Sequence, residues 1–352
     1  MKVPVLSVIK TVSALILLVL LAVGGHYLYS NLPGILQHFL VADSQKNIPR
    51  EDVIVAIPKG ASLSEVGAIL QEKGVVSSKL VFKVVAFIRG EQRSVKAGDY
   101  LLKTGSEPGD VLDLLISGKT LVFSITSPEG YNIFQVADLF ELRGVTSKKD
   151  FLDLANDPEF LKELQIDGSS LEGFLFPDTY FLRPAEKSNA KVVVRKMVNR
   201  FRSVYDKYVR GTAEEYGWSP LQVVTLASLI EKEAKPNEHA LVSAVFHNRL
   251  RQKMKLQCDP TVIYGIKPMG ARITRSDLDR KQPYNTYQVT GLPPGPIANP
   301  GKESLVAAVQ PASVDYLYFV SKNDGSHQFS SSLNEHNKWV NLYQKQNVSA
   351  TP

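Results

Sequence analysis

The sequence predicts an α+β protein with an N-terminal transmembrane helix, a small sheet-and-helix module and a larger mixed α+β domain. Three observations lead to this fold class. Residues 11–42 contain no Asp, Glu, Lys or Arg, residues 53–74 read as a strand, a turn and a capped helix, and the rest alternates amphipathic helices with polar loops. The predicted boundaries are 1–10 for an N-terminal segment, 11–30 for the membrane helix, 45–125 for the module, 126–345 for the larger domain and 346–352 for a tail.

The composition is that of a globular protein but does not indicate which kind of partner the chain binds. The chain has 352 residues, of which 44% are hydrophobic and 22% charged, so it is long enough for two or three domains and has no bias towards disorder. The formal net charge of +6 suits a membrane surface, a cell wall or a nucleic acid equally. Cys258 is the sole cysteine, which rules out an internal disulfide and a cysteine-based zinc site.

The apolar segment 11–30 predicts a single-pass membrane anchor. As a helix its 20 residues would extend about 30 Å, which matches the hydrocarbon core of a bilayer. Lys2 and Lys10 precede it and Tyr27 and Tyr29 lie at its far end, so the bulk of the chain is expected outside the cytoplasmic (inner) membrane and residues 1–10 inside. A cleaved signal peptide is the alternative, although the apolar run is long and no A-x-A site follows it.

A strand, turn and helix unit begins the exposed part of the chain. Ser62 and Glu65 form a capping-box pattern, and Gly74 suits the helix C-terminus. The same pattern returns 70 residues later, which indicates either an internal duplication or two capped helices that share turn residues. In that register Pro58, Gly60, Val66, Gly74, Val75, Ser77 and Lys79 match Pro128, Gly130, Val136, Gly144, Val145, Ser147 and Lys149.

Residues 219–235 give the strongest helix signal, with Ser219 as N-cap, Pro220 at the first helical position and Gln222 completing a capping box. On a helical wheel one apolar arc contains Val223, Val224, Leu226, Ala227 and Ile230, and the opposite side contains Gln222, Thr225, Ser228 and Lys232.

Glu231 falls inside this apolar arc. Apolar surroundings penalise an ionised carboxyl, so Glu231 is predicted to keep a proton near neutral pH and to deliver it to a leaving group. Glu233 points about 160° away, so the two glutamates cannot act as a pair across one bond. The alternative for Glu231 is a structural carboxylate that Arg249 or a backbone donor satisfies.

Polar and aromatic residues crowd the sequence after this helix. Asp259 suits the N-cap of a short helix, 284–287 is the string YNTY, and 291–296 is rich in Pro and Gly, which suits a fixed binding loop. Tyrosine rings and amides are the groups that a sugar-binding site needs. The spacing of His247, His327 and His336 matches no common zinc motif, so hydrogen-bonding or packing roles are expected, with no metal or cofactor.

Six strings in this order resemble one known family, the membrane-bound endolytic murein transglycosylases (MltG or YceG-like). The strings are EGFLFPDTY at 172–180, ASLIEKE at 227–233, NRL at 248–250, DPTVIYG at 259–265, YNTY at 284–287 and GLPPG at 291–295. The entry into the first helix, residues 57–63, separately resembles a LysM-like module, which binds N-acetylglucosamine polymers; a spacer that touches no sugar is the alternative. The larger domain would then be the catalytic YceG-like domain.

The resemblance implies cleavage of the MurNAc-GlcNAc bond within nascent peptidoglycan strands, leaving 1,6-anhydro-MurNAc ends and terminating strand elongation. It places the catalytic acid and base at Glu231. Cys258 and His247 depart from the usual family pattern, which puts neighbouring sugar contacts in doubt. The side chains predicted to contact the glycan are Asn248, Arg249, Gln257, Asp259, Tyr264, Tyr284, Asn285, Tyr287, His327 and Asn337.

Two other functions stay open at this point. One is a membrane-anchored scaffold that binds peptidoglycan or division proteins without cleaving glycan. The other is a metallohydrolase that uses His327 and His336. The expected partners of the enzyme are glycan strands, together with peptidoglycan synthases or division proteins, and no nucleic acid.

Overall fold

The structure is a computed structural model that describes Val23, Gly24, His26, Tyr27 and residues 50–345. Most of the predicted membrane helix at 11–30, the N-terminal segment 1–10 and the tail 346–352 lie outside the described residues. Within the described part of the chain, no helix is both long and apolar enough to cross a membrane. The described chain is a mixed α+β protein with small sheets, and it divides into two compact units between Val122 and Phe123.

Residues 50–122 of the first unit form a two-stranded antiparallel sheet and three helices. Strands β1 and β2 pair along their full length, from Asp52 opposite Lys103 to Ile57 opposite Gly98. The helices close one face of this sheet over a core that includes Tyr100 and Phe82. The elements are β1 (Asp52–Ile57), α1 (Leu63–Glu72), α2 (Lys79–Ile88), β2 (Gly98–Lys103) and α3 (Pro108–Ser117).

The second unit contains two further antiparallel strand pairs, β3 with β4 and β5 with β6. Its longest helices, Ala190–Tyr208, Pro220–Glu233 and His239–Arg251, contribute side chains to one core. The elements are β3 (Phe123–Thr126), α4 (Ile133–Leu142), α5 (Lys148–Ala155), α6 (Pro158–Glu163), β4 (Thr179–Leu182), α7 (Pro184–Lys187), α8 (Ala190–Tyr208), α9 (Arg210–Glu215), α10 (Pro220–Glu233), α11 (His239–Arg251), α12 (Pro260–Ile263), α13 (Arg275–Leu278), α14 (Lys302–Val309), β5 (Tyr318–Ser321), β6 (His327–Ser330) and α15 (Leu333–Val340), followed by the π-helical turn Asn341–Lys345.

The two units begin with the same arrangement, in the 70-residue register that the sequence indicates. Both α1 and α4 start with a capping box, and both are followed by a glycine with positive φ, Gly74 at 69° and Gly144 at 66°. The Val75 N–H donates to the Leu70 carbonyl, and the Val145 N–H donates to the Phe140 carbonyl, each at 2.9 Å. The likeness therefore extends from the sequence to the caps and their hydrogen bonds, and duplication stays a prediction, because two similarly capped helices would share these features.

Helix α10 is buried on all sides. Every residue from Val223 to Ile230 is buried, including Thr225 and Ser228, which the helical wheel assigned to a polar side. This second side is buried as well, because Thr225 donates its hydroxyl to the Leu221 carbonyl and Ser228 donates to the Thr225 carbonyl, each at 2.7 Å. Hydroxyls that bond back to the helix itself can be buried without a cost in unmade hydrogen bonds.

Candidate active site

Glu233 is the last residue of α10 and lies at a cleft in the second unit. The cleft has a volume of about 360 Å3. Five of the predicted sugar-contacting residues line it together with Glu233, although Glu231 does not. The polar side chains that line it are Glu233, Arg249, Gln257, Asp259, Tyr287, Ser321, His327, His336 and Gln344.

The Glu233 carboxyl is poised between its two protonation states near neutral pH. Burial raises the pKa of Glu233 to about 7, and the negative charge of Asp259 adds to the rise. Hydrogen bonds from the Cys258 thiol and the Asp259 backbone N–H oppose it. Burial also raises the pKa of the Cys258 thiol, so Cys258 stays a neutral donor. A carboxyl in such surroundings can both give and take a proton at neutral pH.

Asp259 is the second carboxylate of the cleft, and Tyr287 fixes its position. The Tyr287 hydroxyl donates to Asp259 Oδ1 at 2.6 Å. Asp259 directly precedes the short helix α12, so its backbone places both its own carboxylate and its N–H beside Glu233. The cleft therefore presents one carboxyl with a raised pKa and a neighbouring, exposed carboxylate.

Arg249 organises one wall of the cleft. Its Nε donates to the Leu317 carbonyl at 2.7 Å, and its Nη1 donates to the Leu256 carbonyl at 2.8 Å and to Gln257 Oε1 at 3.3 Å. Its guanidinium lies over the Tyr318 ring, 5.3 Å from the centroid. Arg249 thus ties α11 to β5 and to the loop that carries Gln257.

His327 closes another wall through Glu238. Its Nδ1 lies 2.7 Å from Glu238 Oε2, and its backbone N–H donates to Glu238 Oε1 at 2.9 Å. In the part of the chain that the structure describes, no group of three or more His, Cys, Asp or Glu side chains is placed to hold a metal ion.

Glu231 is engaged in a different part of the unit. Its Oε2 accepts hydrogen bonds from the Gly301 N–H at 3.0 Å and from the Ser304 hydroxyl at 2.6 Å. Gly301 is the N-cap of α14 and Ser304 lies in its first turn. A carboxylate at a helix N-terminus satisfies donors that have no partner inside the helix. The Gly301 N–H is a backbone donor of the kind expected if Glu231 is a structural carboxylate. The role of Glu231 as the catalytic acid stays a prediction.

Glu129 lies beside Glu231 and makes this second location acidic. Burial raises the pKa of Glu129, and the charge of Glu231 adds to the rise. Gly301 lets the Glu129 carboxyl approach, because a Cβ on Gly301 would lie 2.0 Å from Glu129 Oε1. Lys232 donates to the Gly130 carbonyl at 3.2 Å and holds the turn that carries Glu129.

Three predicted sugar contacts lie away from Glu233 in this structure. Asn248 is 5% exposed and donates to the carbonyls of Val314 and Tyr316. Asn285 is fully buried and donates to carbonyls at and just after the end of α13. Asn337 is exposed on α15 and does not line the cleft. Contact of these three side chains with a glycan stays a prediction.

Tyr264 and Tyr284 belong to a buried network around Glu172. The Tyr264 hydroxyl donates to Glu172 Oε2 at 2.8 Å, and the Tyr264 and Tyr284 ring centroids are 4.9 Å apart. Glu172 is 2% exposed and also accepts from the Ile133 N–H and the Asn299 amide. Burial raises the pKa of Glu172 to about 7. This carboxyl joins the start of α4 to the end of α12.

Sequence reasoning passed over Glu233, Glu172 and Glu129. Glu172 stands in the string EGFLFPDTY, but a buried carboxyl at the start of a loop gives no periodic signal. On the wheel Glu233 points about 160° away from Glu231, and the neighbours that affect its pKa, Cys258 and Asp259, lie more than twenty positions further along the chain.

Together, the fold and the cleft define a two-unit α+β protein with a partly buried carboxyl in a polar, aromatic cleft. The YceG-like family model matches residues 55–342. The chain is 34% identical over 340 residues to the endolytic murein transglycosylase of Bacillus subtilis (strain 168), covering 92% of this chain and 91% of the relative. This chain belongs to the YceG-like family.

Two other proteins extend the comparison. The endolytic murein transglycosylase of Streptococcus pneumoniae serotype 2 is 28% identical over 365 residues, covering 94% of this chain but 64% of the relative, so the streptococcal protein has a substantial part without a counterpart here. A crystal structure of a yceG-like protein from Listeria monocytogenes is 34% identical with a TM-score of 0.57, covering 82% of this chain and 99% of the other.

Proposed function

We propose that this chain is an endolytic murein transglycosylase in which Glu233 transfers the protons. It cleaves the MurNAc-GlcNAc bond within peptidoglycan strands and leaves 1,6-anhydro-MurNAc ends. The relatives that carry this name match nearly the whole chain. The observation that carries the choice of carboxyl is that Glu233, with its pKa raised to about 7, lies in the cleft with Asp259, Gln257 and Tyr287.

The reaction needs one carboxyl in two successive roles. Protonated Glu233 gives its proton to the glycosidic oxygen as the bond from that oxygen to the muramyl C1 breaks, and the Asp259 carboxylate stabilises the positive charge that develops at C1. The Glu233 carboxylate then takes the proton from the muramyl 6-hydroxyl as O6 bonds to C1. Glu233 regains its proton and no water is consumed, so the nucleophile comes from the substrate.

The remaining cleft residues would position the strand. Gln257 and His327 offer hydrogen-bonding groups to sugar hydroxyls, and the Tyr287 ring offers an apolar face to a pyranose. Arg249 has its guanidinium occupied by carbonyls and Gln257, so it supports the wall.

The proposal also includes a membrane anchor and a glycan-binding role for the first unit. The charge-free segment 11–30 supports a single-pass anchor in the cytoplasmic membrane with both units outside. The first unit, a two-stranded sheet with three helices, supports a LysM-like module that binds the same glycan. Peptidoglycan synthases or division proteins are the protein partners that such a location would bring within reach.

The test compares two glutamates that lie two positions apart on one helix. Wild type, Glu233→Gln and Glu231→Gln are incubated with polymerised peptidoglycan, with and without a chelator, and new sugar ends are identified by mass. We expect anhydro ends from wild type regardless of chelator, and a loss of at least about a hundredfold in Glu233→Gln. Glu231→Gln should keep cleavage within about tenfold of wild type and lower the melting temperature, because Gly301 and Ser304 lose an anionic acceptor.

Three other results would each indicate a different catalytic residue or a different function. Loss of activity in folded Glu231→Gln, with Glu233→Gln active, would restore Glu231 as the acid and base. Reducing ends that disappear with the chelator would indicate a metallohydrolase. A wild-type protein that binds the glycan and makes no new ends would be a scaffold.

A further inference from the structure

A second groove of the second unit lies between the start of α4 and the loop after α12. Its volume is about 350 Å3. Asn132, Phe134, Gln135 and Asp138 line one side, and residues 265–269 line the other. The proposed chemistry uses none of these side chains.

The groove contains two amide donors that the fold leaves free. Asn132 Oδ1 accepts from the Gln135 N–H at 2.9 Å, and Gln135 Oε1 accepts from the Asn132 N–H at 3.1 Å, so the capping box uses both oxygens. Neither amide nitrogen donates to an acceptor among residues 50–345. Asn132 is 5% exposed, and a buried amide that lines a cavity without an acceptor is placed to bind a ligand oxygen.

An aromatic ring and a carboxylate complete the groove. Phe134 is 36% exposed, and its ring centroid lies 6.2 Å from that of Tyr264. Asp138 pairs with Lys148 at 2.5 Å, and both side chains line the groove. A flat apolar surface beside amide donors and a carboxylate acceptor is the combination that binds a pyranose with its hydroxyl and N-acetyl groups.

The same short segment of the chain lines both the Glu233 cleft and the groove. Asp259 lines the cleft and Gly265 lines the groove, and the helix α12 lies between them in the sequence. Glu172 anchors Tyr264 at the end of α12, so the spacing between cleft and groove is fixed.

The corresponding helix start of the first unit lacks these groups. In the 70-residue register, Asn132, Phe134, Gln135 and Asp138 correspond to Ser62, Ser64, Glu65 and Ala68. The caps are shared, but the ring, the amides and the carboxylate at position 138 are not. These groups are thus not a requirement of the capped helix.

We propose that this groove is a distal sugar subsite, which binds one N-acetylhexosamine of the strand away from the bond that is cut. The proposal rests on the proposed function, because it takes its ligand from that reaction. An enzyme that cuts inside a polymer holds sugars on both sides of the bond, and the groove would make long strands bind more tightly than short ones.

The test uses substitutions that keep the helix cap. Asn132→Asp with Gln135→Glu keeps both capping oxygens and removes both amide donors, and Phe134→Leu removes the ring alone. Glu65→Gln, at the position of the first unit that corresponds to Gln135, is the matched control. Each change is made in the full chain with Glu233→Gln to prevent turnover, and binding of peptide-free glycan strands of about two and about six sugars is measured by calorimetry.

We expect both groove variants to bind the longer strand about tenfold more weakly and the shorter strand unchanged, with no effect of the control. Equal binding of the longer strand by wild-type and variant grooves would overturn the subsite. An effect of the charged double variant without one of Phe134→Leu would also overturn it, since charge repulsion would then explain the loss. Failure of the proposed function is separate, because it would appear as absent anhydro ends in the otherwise wild-type chain.

Discussion

At the scale of single residues, two glutamates on one helix have different environments. Glu231 accepts hydrogen bonds from the start of α14, whereas Glu233 meets Cys258 and Asp259 in a cleft. The sequence identifies Glu231 and Glu233 as candidates but does not show how their environments differ. A helical wheel includes only the residues of α10. The neighbours that set the two environments, such as Cys258 and Ser304, lie 25 to 73 positions further along the chain.

The raised pKa of Glu233 predicts how stability changes with pH. The folded state holds the proton more tightly than the unfolded state, so this group's contribution is fully present below about pH 4.5 and is lost as pH rises through about 7. Glu233→Gln removes the charge and should therefore melt about 2–4 °C above wild type at pH 8 and equal to it at pH 4.5. Glu214→Gln, at an exposed position, is the control for thermal melts at both pH values.

Should Glu233→Gln melt below wild type at pH 8, ionised Glu233 would be stabilising in the fold and the desolvation argument would be wrong. Burial also raises the pKa of Glu172 to about 7, but its carboxylate accepts three kinds of donor, so a neutral amide there would lose hydrogen bonds as well as charge.

At the scale of elements, the N-terminal cap of α10 could be predicted from the sequence, but the burial of this helix on all sides could not. Ser219, Pro220 and Gln222 start α10 as the sequence indicates, because capping depends on residues three positions apart. Its burial on all sides depends on packing against α11 and α14, which no pattern within the helix reports. The polar wheel face is therefore a poor guide in a helix at the centre of a unit.

Close packing of the loop at 173 against α10 gives a second prediction. Gly173 has φ of 84°, and a Cβ there would lie 2.5 Å from Val224 Cγ1 and 2.6 Å from Pro296 Cγ. Gly173→Ala should lower the free energy of unfolding by about 3 kcal/mol or more, from backbone strain and overpacking together. Gly217→Ala is the control, because its φ of 66° carries the strain without a neighbour within 4 Å. Equal losses in chemical denaturation would show that packing against Val224 contributes nothing.

At the scale of the whole molecule, the family match runs across both units, but each unit has its own core. The sequence predicted an α+β class and a division at residue 125, and the compact units divide between Val122 and Phe123. The difference is one strand. β3 pairs with β4 and its Ile125 is 2% exposed, so residues 123–126 belong to the second core. A four-residue strand is too short for its partner to be read from periodicity.

Truncation tests this boundary. A chain that starts at residue 120 keeps β3 and should unfold in one cooperative transition with cleavage of short glycan strands intact. A chain that starts at residue 127 loses β3, exposes the edge of β4 and leaves the site of Ile125 empty, so it should melt several degrees lower or fail to fold. Equal melting curves for the two chains would place the boundary after β3.

The most direct test of the account is a crystal structure of Glu231→Gln/Glu233→Gln with a bound peptide-free glycan strand, because the double variant cannot cleave under either assignment. We predict that the residue 233 amide lies within about 3 Å of a glycosidic oxygen, with Asp259 beside the adjoining C1. A strand whose glycosidic oxygen instead meets residue 231, away from Asp259 and Tyr287, would contradict the account.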